Sequence, residues 1–325
     1  MQIEMQGIYK SFSGNTVLKD AGFTLRSGEI HALMGENGAG KSTLMKILTG
    51  VYTKDEGRIL VDGNEVCYRS PQEAEKAGIV FIYQELNVLY DLTVEENMFL
   101  GKEIRKGMGI CDKKAMRAEV KRVLQSLGVD ISPTRRMDEL SVGQQQMIEI
   151  AKALMVNAQV IIMDEPTAAL TQSETSVLFR VVRSLKEKGV SIIYISHRME
   201  EIFELCDRVT VLRDGAYIDT KNISDTDMND VVRMMIGREI GERFPARSVV
   251  PGEVVFEVKG LTSPGIFRDI SFRVRKGEVL GVAGLMGAGR TEIMQAIFGS
   301  IPVTDGKLYL DGKEISVRSP QQAMK

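Results

Sequence analysis

Lys41 and Ser42 close the run Gly35-Glu36-Asn37-Gly38-Ala39-Gly40-Lys41-Ser42-Thr43, whose glycine spacing suits a loop that wraps a triphosphate. Glycines let backbone N–H groups approach phosphate oxygens at a helix N-terminus, where peptide dipoles favour negative charge. The Lys41 ammonium then reaches the β- and γ-phosphates, and the Ser42 hydroxyl offers a ligand to Mg²⁺. Further along, Asp164 and Glu165 place two carboxylates at the end of the apolar run Val160-Ile161-Ile162-Met163. Packing does not account for them, because burying unpaired charge is costly. Asp164 suits Mg²⁺ held through water, and Glu165 suits a general base acting on the nucleophilic water. Gln84 ends another strand-like run, where its amide either meets Mg²⁺ and the attacking water or is a solvated loop group. His197 follows the buried-looking run 190–195, where it is either a structural histidine or, at this strand end after both phosphate motifs, a group that contacts a γ-phosphate and holds the water's geometry. The catalytic candidates are thus Glu165, His197, Gln84 and Lys41, and the metal candidates Ser42, Gln84 and Asp164.

These groups need elements to hold them. The apolar run before Gly35 predicts a strand, and Leu44, Ile47 and Leu48 have helical spacing up to a stop at Gly50. Residues 2–26 alternate around Ser13-Gly14-Asn15, which predicts an antiparallel hairpin. Phe12 sits at that turn, either packed in the hairpin core or stacking on a base. His31, within the strand, reads as a packed structural residue. Strands are predicted at 57–61, running into an Asp62-Gly63 turn, and at 78–83. Asp112 reads as an N-cap for a helix with Met116, Val120, Val123, Leu124 and Leu127 on one face. Residues 90–156 are expected to be mostly helical, as an insertion into an α/β core. Inside it, Ser141 and Gln144 have capping-box spacing; with Gly143 they form either an ordinary cap or an anion site. Thr171 and Glu174 repeat that spacing before a helix carrying Val177, Leu178, Val181, Val182 and Leu185.

At 325 residues the chain has room for two cores. A net charge of −2 supplies no general field for nucleic acid, so no nucleic-acid partner is expected. The three cysteines lack metal or disulfide spacing and fit a reducing compartment. No run approaches the roughly 18 apolar residues of a membrane span, and the N-terminus lacks a signal pattern. Membrane contact is therefore expected only through a partner.

The chain also repeats itself. RSGEIHALMGENGAGKST at 26–43 returns as RKGEVLGVAGLMGAGRTE at 275–292, a constant offset of 249 at which DG and RSPQ also recur. Arg290 replaces Lys41, and a planar guanidinium is no conservative substitute for a compact ammonium. Thr291 retains a hydroxyl, and the loop matching Phe12 is shorter. Pro245, Pro251 and Gly252 interrupt REIGERFPARSVVPG, giving a linker at 241–252 between domains at 1–240 and 253–325. No second Gln84, Ser141 or Asp164 counterpart precedes Lys325, so the second domain is expected to be a fragment or a remnant.

GENGAGKST, Gln84, LSVGQQQ, IIMDEPTAAL and ISHRMEEIF, in that order, resemble the Walker A, Q-loop, signature, Walker B with D-loop, and H-loop of an ATP-binding-cassette (ABC) ATPase. The resemblance covers residues 1 to about 240, and LSVGQ is its most specific element. It implies an α/β P-loop NTPase fold with an antiparallel β-subdomain and a helical insertion, followed by the start of a second copy. ATP and Mg²⁺ are implied as cofactors, with Phe12, residues 35–43, Ser141, Gly143 and Gln144 in nucleotide binding. In such ATPases two cassettes face each other, so Ser141 and Gly143 would complete the site of a second cassette, in cis or in trans. Two positions depart from the family: Val142 stands where glycine is usual, and Thr171 replaces the D-loop aspartate.

GLMGAGRTE in the second copy, with QELN and YISHRMEEIF in the first, resembles the tandem ATPases of bacterial importers of the ribose and galactose type. That implies ATP hydrolysis coupled to monosaccharide import at the cytoplasmic face of the inner membrane. The implied partners are integral membrane permease subunits and, indirectly, a periplasmic sugar-binding protein. The Arg290 half-site is expected to bind nucleotide and turn over weakly or not at all. The rival is a soluble tandem ATPase acting on ribosomes or nucleic acid, for which the stretch between the copies lacks the expected long charged linker.

Overall fold

The computed structural model describes residues 1–106, 109–237, 250–284 and 287–324. It divides the chain into two units, Met1–Ile240 and Gly241–Lys325. The linker expected at 241–252 lies, for all but its last three residues, outside the described residues.

In the first unit the strands are β1 (Ile3–Phe12), β2 (Asn15–Leu25), β3 (Ile30–Met34), β4 (Glu56–Val61), β5 (Asn64–Val66), β6 (Ile79–Ile82), β7 (Val160–Asp164), β8 (Ser191–Ile195), β9 (Arg208–Arg213) and β10 (Ala216–Asn222). The helices are α1 (Lys41–Leu48), α2 (Pro71–Lys76), α3 (Val94–Met98), α4 (Lys113–Ser126), α5 (Val142–Met155), α6 (Gln172–Glu187), α7 (Met199–Leu205) and α8 (Met228–Ile236). A six-stranded sheet has the order β10-β9-β3-β8-β7-β6, and a four-stranded sheet has the order β2-β1-β4-β5. In the larger sheet β6, β7, β8, β3 and β9 run parallel, with β10 antiparallel at the edge. The β2-β1-β4-β5 sheet is antiparallel throughout.

The central strands are buried on both faces, which is why they read as unbroken apolar runs rather than alternating ones. One core joins the two sheets: Ile3, Met5, Ile8 and Phe23 meet Leu33, Ile193 and Ile195, with Leu44, Met45 and Leu48 of α1 between them. Leu44 and Leu48 are fully buried, each contributing about 1.5–3 kcal/mol. A second core lies on the opposite face, where Ile148 and Ile150 of α5 and Leu178, Val182 and Leu185 of α6 pack with Ile161, Met163, Ile192 and Tyr194.

The insertion between β6 and β7 contains α3, α4 and α5, joined by loops comparable in length to the helices. Asp112 caps α4 as expected, accepting from Ala115 N–H at 3.1 Å, and Met116, Val120, Val123 and Leu124 are buried. His31 is fully buried, hydrogen-bonded to Glu29 at 2.9 Å and Thr210 at 2.7 Å, and burial holds its pKa below the ordinary value. It is a packed structural residue.

The second unit contains β11 (Val254–Ser263), β12 (Phe267–Arg275), α9 (Arg290–Ile297), β13 (Asp305–Leu310), β14 (Lys313–Ile315) and α10 (Pro320–Ala323). Its sheet order, β12-β11-β13-β14, copies the β2-β1-β4-β5 order of the first unit. A small core of Val258, Leu261, Ala296 and Leu308 holds it together. Ile3 pairs with Leu25 and Phe256 with Val274, so the second hairpin is the shorter one.

Candidate active site

The phosphate loop is shaped by close backbone approach. At Gly35, φ is +156°, and a Cβ would lie 2.3 Å from the Leu212 carbonyl oxygen and 2.9 Å from Ala39 Cβ. Gly40 precedes α1 in the left-handed region and provides no side-chain cap, so the first-turn N–H groups are left to a ligand. Glu36, Asn37 and Gly38 are exposed at the loop tip, Ala39 is buried, and Thr43 is half-buried in the first turn. Lys41 Nζ spans the mouth, donating to the Gly35 carbonyl at 2.8 Å and the Glu36 carbonyl at 3.0 Å. Burial lowers the pKa of Lys41, while the Asp164 and Glu165 carboxylates oppose that shift.

Strand β7 brings its acidic end to this mouth. Ser42 Oγ donates to Asp164 Oδ2 at 2.9 Å, joining residues 122 apart in sequence. Burial raises the pKa of Asp164; the Ser42 hydroxyl opposes the rise and the Glu165 charge adds to it. Glu165 adopts φ +47°, a left-handed backbone that is uncommon for a residue with a side chain. Its N–H donates to the Ile195 carbonyl at 2.8 Å, which ties it to the end of β8. Its carboxylate lies 3.1 Å from His197 Nδ1, and Gln84 Nε2 donates to it at 3.4 Å. The ends of β6, β7 and β8 therefore gather Gln84, Asp164, Glu165 and His197 beside the Lys41 loop. A cavity of about 430 Å³ lies here, lined by Ser42, Lys46, Tyr83, Gln84, Asn87 and Asp164 among others.

Ser141, Gly143 and Gln144 stand apart from this cluster. They line a separate cavity of about 410 Å³ with Met147, Glu174 and Val177. Ser141 caps α5 by accepting from Gln144 N–H at 3.2 Å, and the Gln144 side chain accepts from Ser141 N–H at 3.1 Å. The Ser141 hydroxyl also donates to Glu174 Oε1 at 2.9 Å. Glu174 is itself engaged by Thr171, whose backbone N–H donates at 3.0 Å and whose hydroxyl donates at 2.9 Å; these donors and Ser141 hold its carboxyl below the usual range.

Phe12 is 38% exposed and is not a hairpin core residue. Its ring meets Tyr52 edge-on at 5.1 Å, and Lys10 Nζ stands 5.3 Å from its centroid. Sequence reasoning missed Tyr52, whose one signal is its place just after the Gly50 helix stop. It also missed Glu201, a buried carboxylate at the back of the site.

Together these elements define a P-loop nucleotide-binding cassette. The family model described as ABC transporter matches residues 18–168 and 267–325. The chain is 57% identical over 326 residues to the ribose import ATP-binding protein RbsA of Bacillus cereus (strain ATCC 14579), covering 100% of this chain and 66% of that protein. Identity to the protein of the same name is 55% in Bacillus subtilis (100% of this chain, 66% of that protein) and 56% in Geobacillus kaustophilus (99% and 65%). The chain thus spans about two-thirds of the length of these curated relatives. A solved nucleotide-free ATP-binding cassette from an ABC transporter is 28% identical with a TM-score of 0.63, covering 73% of this chain and 100% of its own. The ADP conformation of an ABC-transporter cassette is likewise 28% identical, with a TM-score of 0.64 over 73% of this chain and 100% of that one. The chain belongs to the ABC transporter family.

Proposed function

We propose that this chain binds ATP and hydrolyses it to ADP and phosphate as the energy-coupling part of an importer for a monosaccharide of the ribose class. The observation that carries the hydrolytic reading is the Glu165 carboxylate. It is held by His197 and Gln84 next to the Ser42–Asp164 pair at the mouth of the Lys41 loop. ATP lies with its phosphates against residues 35–43 and its base toward Phe12. Glu165 accepts a proton from the attacking water, Gln84 and His197 fix that water's position, and Lys41 balances charge on the transferred phosphoryl group.

The Ser42 hydroxyl and the Asp164 carboxylate, 2.9 Å apart beside an open cavity, form an all-oxygen donor set that fits Mg²⁺. Gln84 supplies a third oxygen. Bound there, Mg²⁺ supplies charge neutralisation on the phosphates. Ser141, Gly143 and Gln144 complete the site of an opposing cassette, a role supported by their separation from this chain's own Lys41 cluster. Residues 1–240 form the complete cassette, 241–252 the linker and 253–325 the start of a second one.

Partners follow from the same reading. The names of the relatives support a ribose-class cargo and a part in import; an integral membrane permease and a periplasmic sugar-binding protein are the partners that the resemblance to tandem importer ATPases implies. No helix among the described residues is long and apolar enough to cross a membrane. The likeness to ribose import ATP-binding proteins supports a peripheral place beneath the permease at the cytoplasmic face.

The test is ATPase rate against protein concentration for the wild type and Glu165→Gln. Turnover per chain should rise with concentration as copies pair. Glu165→Gln should retain ATP binding and lose about 10³-fold in kcat, within the range for a general base. A Glu165→Gln protein as fast as the wild type would sink the proposal.

A further inference from the structure

Behind the candidate base lies a carboxylate to which the hydrolytic reading assigns no task. Glu201 of α7 is 6% exposed, yet four different side chains donate to it. The Thr167 hydroxyl lies 2.7 Å from Oε1 and 2.8 Å from Oε2. Tyr194 OH donates to Oε2 at 2.9 Å and Ser196 Oγ at 3.1 Å, while Arg198 donates to Oε1 at 3.0 Å. Thr167, Tyr194 and Ser196 are all buried. Burial and the neighbouring Glu201 charge push the Tyr194 phenol well above its usual range, so it remains a donor. A buried carboxylate is tolerated only when its lone pairs are filled, and this one is filled by Tyr194 of β8 and from two loops, the turn after β7 and the segment after β8.

Those loops carry the reacting groups. Thr167 is two residues after Glu165, in the turn that leaves β7. Ser196 and Arg198 flank His197, and Arg198 N–H also donates to Ser196 Oγ at 3.1 Å. The turn is constrained at Glu165, whose φ is +47° and whose carbonyl accepts from Ala168 N–H at 3.1 Å. A left-handed backbone at a residue with a Cβ persists only where surrounding contacts fix it. The Thr167–Glu201 contact fixes the far side of that turn, and the Ser196–Glu201 contact fixes the strand end that presents His197.

We propose that Glu201 is a positioning residue for hydrolysis, clamping the Thr167 turn to the Ser196–Arg198 segment so that the Glu165 carboxylate and the His197 ring stay within hydrogen-bond reach. This rests on the hydrolytic role proposed for Glu165. The consequence is specific: loosening the clamp misplaces the base without disturbing the phosphate loop. Turnover falls while ATP affinity holds, because the groups that donate to Glu201 are Thr167, Tyr194, Ser196 and Arg198, none of them in residues 35–43.

Two substitutions probe the clamp from opposite ends. Glu201→Gln keeps the volume and replaces one acceptor with a donor; Thr167→Val keeps the shape and removes one hydroxyl, and still tests the clamp if the Gln variant fails to fold. For the full chain at a concentration that supports turnover, each should lower kcat about 10-fold or more with KM for ATP within about two-fold. Thr167→Ser, which retains the hydroxyl, should restore at least half of the wild-type rate. In a Glu165→Gln background, Thr167→Val should cause no further loss. A Thr167→Val chain as fast as the wild type, or one whose loss adds fully to that of Glu165→Gln, overturns the assignment alone. A wild-type chain no faster than Glu165→Gln overturns the hydrolytic role and this assignment with it.

Discussion

Strand β3 and its repeat at 279–283 have nearly the same apolar character and opposite fates. Ile30, Ala32 and Leu33 are at most 1% exposed, whereas Val279 is 75%, Leu280 39% and Val282 46% exposed, and no strand is assigned there. The difference lies in the neighbours. Strand β3 is bonded on one side to β8, with Ile30 opposite Ile192, and on the other to β9, with His31 opposite Arg208. Both partners come from more than 150 residues later in the chain, and no counterpart to either occurs among the described residues of the second unit. The antiparallel sheet is built differently, from a hairpin and a returning strand that are close in sequence, and it forms in both units in the same order. A parallel central strand is conditional on distant chain, while a hairpin carries most of its own partners.

Hydrogen exchange on the whole chain should make that contrast quantitative. Amides in β3 are expected to exchange on the order of 10⁴-fold more slowly than those at 279–283, since the former open only with the core. Comparable protection in the two stretches would mean that the second one has found another partner, and the comparison would fail.

The next largest effect comes from exchanging the one residue that differs most between the two cradles. Lys41 and Arg290 both begin a helix directly after a left-handed glycine, Gly40 with φ +93° and Gly289 with φ +79°. Lys41 reaches two loop carbonyls with a compact ammonium. A guanidinium is larger and planar, so Lys41→Arg should weaken ATP binding about 10- to 100-fold, the loss of one or two charge-assisted hydrogen bonds. Arg290→Lys should add no turnover, because nothing equivalent to Asp164 and Glu165 follows it in the described part of the second unit. Titration calorimetry on Lys41→Arg checks the first statement and the rate of phosphate release by Arg290→Lys the second; unchanged affinity in Lys41→Arg would show that the residue type does not separate the cradles.

Much of this was legible beforehand, and what was not has a common cause. The caps at Asp112, Ser141 and Thr171, the strands that lead to Asp164 and Ser196, and the glycine-rich loop before α1 are local patterns, and each forms where its pattern lies; the strand before Gln84 stops two residues short of it, at Ile82. Tyr52 against Phe12, Glu174 against Ser141 and Glu201 against Thr167 join residues brought together only by tertiary packing. A sequence has no period or spacing that marks such pairs. The stretch 279–283 makes the same point, because it repeats the apolar pattern of β3 with no counterpart of β8 or β9 among the described residues beside it.

The smallest expected effect tests the part of the design that both units keep. Ser70 caps α2 by accepting from Glu73 N–H at 3.3 Å, and Ser319 caps α10 by accepting from Gln322 N–H at 3.4 Å. Each serine is held against a glycine in the left-handed region. A Cβ on Gly50 would lie 2.8 Å from Ser70 N, and one on Gly299 would lie 2.6 Å from Ser319 N. The cap chemistry is thus equal, but α2 buries Ala74 and α10 buries no residue. Ser70→Ala should therefore cost about 1 kcal/mol and lower the melting temperature of the first unit by about 2–4 °C. Ser319→Ala should cost only a few tenths of a kcal/mol, because a helix end that anchors no side chain frays with little loss of packing. Equal shifts in calorimetry would show that the hydrogen bond alone sets the cost, whereas the expected inequality shows that the cap matters through what its helix buries.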